Sequence, residues 1–256
     1  MRKLSNYEAD ATEITLQGLD LESQESEDSL VKAVEKYERA TLLGEPIAMY
    51  RLAMLIERGA HKEKNNKRVL QLLEKSAELG SELAEERLGW KYLAGEGVAK
   101  DFEKAFMYCQ KAADKNVPKA ILHLAVCHEK GKGTNVDGEK AFHLYNKARD
   151  LGEDVNLEKL KELHHKITFA KRDLQLFEAS AQKGQVDSII QLADFYLNGL
   201  VYQDHNKARQ LLEQAIVLGS IEACTKLGMY SIYILCKPNH SLTLFKKQTC
   251  FSVSAK

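Results

Sequence analysis

The chain has 256 residues, 37 of them basic and 37 acidic, so its net charge is zero. That balance excludes the broadly basic surface needed to grip nucleic acid without sequence preference. No stretch approaches the roughly 18 uninterrupted apolar residues of a membrane-spanning helix, and three prolines suit a helical protein.

The charge is uneven along the chain. Residues 1–30 hold eight acidic side chains against Arg2 and Lys3, while residues 231–256 hold four lysines and no acid. Both ends read as solvated faces. The acidic start lacks an apolar h-region, so no secretion signal is expected. Residues 1–27 are expected to be an acidic, partly helical segment, and residues 28–44 pattern as a helix ending at Gly44.

From there a repeat sets in. Ala48, Ala84 and Ala120 are 36 residues apart, and so are Leu52, Leu88 and Leu124. Lys104, Ala105, Phe106, Lys111 and Ala112 recur at the same spacing as Lys140, Ala141, Phe142, Lys147 and Ala148. A period of this length with two helical stretches per unit predicts stacked helix pairs. In the clearest unit Ala84, Leu88 and Tyr92 form one stripe of a first helix. Gly89 admits a close neighbour, Gly95 and Gly97 end the helix, and Asp101 caps a second helix buried through Ala105, Tyr108, Ala112 and Ala113. The preceding unit carries Ala48, Leu52, Ala53, Ile56 and Gly59, then Leu72, Lys75, Ala77 and Gly80. The following unit repeats the pattern from Ala120 to Gly152. Next comes an irregular unit, with Leu157, Leu160 and Leu163 as a first helix and Ala179, Ala181 and Gly184 marking a second. Leu192 to Gly219 form another unit, one residue shorter in its loop. A further one begins at Ala223, Leu227 and Gly228 and then loses the pattern. Residues 232–256 fit no repeat and are left open between a cap over the last apolar face and a disordered end.

These residues resemble the Sel-one-like repeat family, which is related to tetratricopeptide repeats. Residues 84–116 match nearly every element of the family pattern, and 120–152 match most, with Ala125, His128 and Thr134 departing from it. The resemblance implies an all-α fold: a right-handed α-solenoid superhelix of about five to six antiparallel helix pairs over residues 28–231. It also implies a scaffold or adaptor that binds a protein or peptide. In such superhelices the first helix of each pair lines the concave face, and positions two before and two after the repeat leucine point into it. Carried over, these positions are Tyr50 and Met54, Glu86 and Trp90, Leu122 and Val126, and Ile190 and Asp194. Trp90 is the single tryptophan; it reads either as inter-repeat packing or as an anchor flanked by Met54 and Val126. Glu86, Arg87 and Lys91 read as a solvated face.

Chemistry is harder to find. Some cysteine-rich members of the family are β-lactamase-like hydrolases, which makes a hydrolase the alternative reading. Their periodic cysteine pairs are missing: Cys109, Cys127, Cys224, Cys236 and Cys250 do not recur at the repeat period. An odd, aperiodic set reads as reduced thiols in the cytoplasm. His123 and His128, and the adjacent His164 and His165, are poorly spaced for a metal on one helix face. Gly95-Glu96-Gly97 and Gly131-Lys132-Gly133 follow helices rather than strands, so they read as turns and not phosphate loops. The expectation is a non-enzymatic, cofactor-free, cytoplasmic adaptor. A self-assembling solenoid stacking through its end repeats is the third reading.

Overall fold

A computed structural model describes residues 2–24, 26–59, 65–199, 201 and 203–236. Twelve helices and no strand occur among them: α1 (Arg2–Ser23), α2 (Glu27–Leu42), α3 (Pro46–Arg58), α4 (Asn66–Glu78), α5 (Glu82–Ala94), α6 (Phe102–Asp114), α7 (Pro118–Lys130), α8 (Gly138–Asp150), α9 (Leu157–Gln182), α10 (Val186–Asn198), α11 (His205–Val217) and α12 (Ile221–Cys236). The chain divides into two compact units, one up to His164 and one from His165.

In the first unit α1–α2, α3–α4, α5–α6 and α7–α8 pack as successive pairs, and each second helix also packs on the first helix of the next pair. The repeat alanines and leucines supply the interior: Ala48, Leu52, Ala84, Leu88, Ala120 and Leu124 are all buried. Small residues let the helices approach. A Cβ on Gly89 would stand 2.6 Å from Cys109 Sγ. Cys109 is itself fully buried on α6, in the middle of the face that Ala105 and Ala112 mark.

The loops repeat as faithfully as the helices. Gly95 and Gly131 end α5 and α7 in the left-handed conformation. Asp101 and Asp137 then cap α6 and α8, accepting from the amides of Lys104 at 3.0 Å and Lys140 at 2.8 Å. The backbone amides of the same aspartates bond back to Tyr92 O and His128 O, which pins each loop against the helix it leaves.

In the second unit α10 and α11 form a pair and α12 packs on α11. Here Asp204 N returns to Tyr196 O at 3.0 Å. That bond spans one residue fewer than its counterparts, as the shorter loop requires, and Gly199 is extended rather than left-handed. Val217, Ile221, Met229 and Ile232 are exposed in this unit. Residues 237–256 of the C-terminal segment lie outside the described residues.

The irregular unit departs from expectation. Residues 157–182 form one continuous 26-residue helix rather than a pair. The reason is local: no glycine or proline stands between Leu163 and Ala179 to break it. The end of α9 nonetheless serves α10 as α4 serves α5. Tyr196 donates to Glu178 at 3.2 Å, and Tyr92 donates to Glu74 at 3.1 Å.

Candidate functional site

The first helices α3, α5 and α7 carry the candidate groove. Proline at the first turn starts α3 and α7, and Ser81 caps α5. With the repeat leucines buried, residues two positions to either side are turned partly outward. Tyr50, Met54, Glu86, Trp90 and Leu122 converge on one open cavity of about 550 Å³, together with Glu57, Arg58, Arg87, Lys119, His123 and Glu153. Val126 is half-buried and does not line it. Ile190 and Asp194 belong to the second unit. Ile190 is buried there with Ile189, Ala193 and Leu212, so it is a core residue of α10, and Asp194 pairs with Lys226.

Trp90 packs between repeats and also stays partly exposed. It makes an inter-repeat contact by stacking on His123, with ring centroids 4.9 Å apart, and its Nε1 donates to Glu96 Oε2 at 3.1 Å. Yet 36% of its surface stays exposed. In the sequence His123 is legible only as a poor metal ligand. As an aromatic partner it has no signature there, because the contact joins α5 to α7 across repeats.

The solvated face expected at Glu86, Arg87 and Lys91 is not one. Lys91 is buried and its ammonium closes on Glu57 Oε1. Arg87 is half-buried and donates to Glu57 Oε2 at 2.6 Å and to Glu96 Oε1 at 3.2 Å. Glu57, on the neighbouring α3, draws both cations inward. Burial works to raise the Glu57 carboxyl, but the hydrogen bonds from Lys91 and Arg87 outweigh it and hold the group below its usual range.

Two other titratable groups of the cavity lining behave differently. Burial raises the Glu86 carboxyl despite Lys119 and Arg87 nearby. Burial, then Lys119 and Arg87, push His123 down to about 4. A histidine with a depressed pKa in the fold favours the folded state most above its unfolded value of about 6.5, and this contribution fades as pH falls towards the folded value. Glu86 has the opposite sign, since a raised carboxyl favours the fold at low pH. Between pH 7 and pH 5 the wild type should therefore lose about 2 kcal/mol through His123. His123→Phe keeps an aromatic ring against Trp90 and should flatten that part of the curve. Urea midpoints at the two pH values measure it, and an equal fall in both proteins would refute the assignment.

Elsewhere in the first unit, Cys109 on α6 and Cys127 on α7 are buried, free thiols. The neighbouring Cys127 thiol and burial raise Cys109.

The sequence matches the Sel1 repeat family over residues 46–81, 83–117, 118–153 and 186–220. Curated proteins yield no match. Among solved structures, a protective antigen of uropathogenic Escherichia coli strains with an SLR fold is 23% identical, with 81% of this chain and 53% of that one covered and a TM-score of 0.46. The chain thus spans about half the length of that protein. A Sel1 repeat protein from Oxalobacter formigenes is 24% identical over 79% of this chain and 87% of its own, with a TM-score of 0.44. Helicobacter pylori cysteine rich protein B is 29% identical over 50% of this chain and 92% of its own, with a TM-score of 0.39. No helix among the described residues is long and apolar enough to cross a membrane.

Proposed function

The chain belongs to the Sel1 repeat family, and on that premise we propose that it is an adaptor whose first unit docks an extended or helical peptide in the groove of α3, α5 and α7. Sel1 repeats generally mediate protein–protein interaction. The observation that carries the reading is the cavity of about 550 Å³ in which Tyr50, Met54 and Leu122 surround a partly exposed Trp90. Aromatic and methionine side chains around an open pocket are what anchors a peptide. We read the protein as a binding module rather than a hydrolase. The free thiols Cys109, Cys127 and Cys224 fit a reducing compartment, which supports the cytoplasm as its location. The repeat-bearing body is read as residues 28–231, flanked by the acidic N-terminal and basic C-terminal segments.

Peptides selected from a random display library on the wild type, then titrated against Trp90→Ala, test the groove. Loss of a central tryptophan should weaken them by about 30-fold, roughly 2 kcal/mol. Peptides that bind both proteins equally, with helix content unchanged, would remove the groove from the proposal.

A further inference from the structure

The first helices α3, α5, α7 and α10 each bury a second stripe beside the one through the repeat leucine. Three positions before that leucine, Met49, Glu85, Ile121 and Ile189 are buried. One position after it, Ala53, Gly89, Ala125 and Ala193 are buried as well. On α5 the stripe continues to Leu93, again four residues on and again buried. The second helix of the same pair covers it. A Cβ on Gly89 would stand 2.6 Å from Cys109 Sγ on α6, and Ile189 and Ala193 cluster with Leu212 and Ala215 of α11.

The last described helix, α12, carries the repeat residues of a first helix, Ala223, Leu227 and Gly228, and Ala223 is buried as in its counterparts. Its second stripe is bare. Cys224 and Gly228 are exposed, and Ile232 is 63% exposed. A Cβ on Gly228 would meet nothing within 4 Å. The stripe is uncharged, and the flanking Glu222 and Lys226 pair with each other at 3.4 Å. No helix follows α12 among the described residues. In this unit α12 is therefore a first helix whose pairing face has no cover.

The chain itself supplies an occupant. It runs on for 20 residues after Cys236. The same 20 residues separate the end of α5 at Ala94 from the end of α6 at Asp114, so this length spans a loop and a second helix. The segment holds Leu242, Leu244, Phe245 and Phe251 and no acidic residue, which suits an apolar, uncharged stripe. A segment tethered this closely has a local concentration on the order of millimolar, well above that of a second copy or a free partner in dilute solution.

We propose that residues 237–256 fold back over the Cys224–Gly228–Ile232 stripe of α12 and take the place of its second helix. This contact is independent of the peptide groove in the first unit. Cys224 lies on the stripe and reports on it. In the full-length chain carrying Cys236→Ser and Cys250→Ser, the other two thiols, Cys109 and Cys127, are buried. Iodoacetamide should then alkylate Cys224 at least about ten-fold more slowly than when Leu244→Ser, Phe245→Ser and Phe251→Ser are added. Ile232→Asp, which spoils the stripe from the other side, should speed alkylation to a similar degree. Circular dichroism checks that helix content is kept, and the Ile232→Asp chain carries the test if the triple variant unfolds. Fast alkylation that neither change alters would overturn the inference. Protection that survives the triple variant would overturn it too, and if that protection fell on dilution the face would belong to a second copy.

Discussion

Gly133→Ala is expected to cost more than about 3 kcal/mol, whereas Gly152→Ala should cost only about 1–2 kcal/mol. Both glycines have a positive φ, +72° and +97°. Both substitutions therefore force an L-residue into the left-handed region. The difference lies in what the new methyl meets. At Gly152 there is nothing within 4 Å. At Gly133 the Cβ would stand 2.0 Å from the carbonyl oxygen of Phe102 and 2.8 Å from Phe106 Cβ. Phe102 opens α6 directly after the Asp101 cap, so its carbonyl cannot retreat without disturbing that cap and the loop bond from Asp101 N to Tyr92 O. The clash is with backbone, and no rotamer change relieves it. Urea midpoints of the two variants measure the gap. Equal losses would mean that the loop after α7 does not sit against the start of α6.

Glu57→Ala should cost about 3–5 kcal/mol, much more than an ordinary surface ion pair. Lys91 has 4% of its side chain exposed, and Glu57 is the carboxylate that compensates its charge. The other acceptor for the Lys91 ammonium is the backbone oxygen of Glu96, at 3.3 Å. Removing Glu57 therefore strands a buried ammonium. Arg87 suffers less, because it keeps Glu96. Placing Lys91→Met in the Glu57→Ala background removes the stranded charge and should recover most of the loss. If the double variant is as unstable as the sum of its parts, burial of Lys91 is not what makes Glu57 important. The same pair has a pH signature. Glu57 is held below its usual carboxylate range, so its contribution is present above about pH 4.5 and is lost as pH falls through the folded value.

Much of the cavity lining follows from the family resemblance applied through the repeat period. The 36-residue spacing puts Tyr50, Glu86 and Leu122 at equivalent places on three successive first helices, and the same holds for Met54 and Trp90. These five positions do line one cavity. Val126 and Ile190 occupy equivalent positions too, but neither lines it. Equivalent positions share a direction from their own helix, while exposure depends on what the neighbouring helices place there. Ile190 is covered by α11 and α12 residues such as Leu212 and Ala223.

What the sequence by itself determined is short-range: the paired helices other than α9, their aspartate caps, the glycine turns and the shortened loop before Asp204. Each follows from residue types within one or two turns of the backbone they shape, so periodicity carries it. Only the tertiary structure decided that Lys91 is buried against Glu57, that His123 stacks on Trp90, and that Gly133 faces a backbone carbonyl while Gly152 faces nothing. The contacts among them join residues about 30 or more positions apart across packed helices. Long, charged side chains can turn in or out with the same sequence pattern, and their partners off the repeat period leave no trace in it.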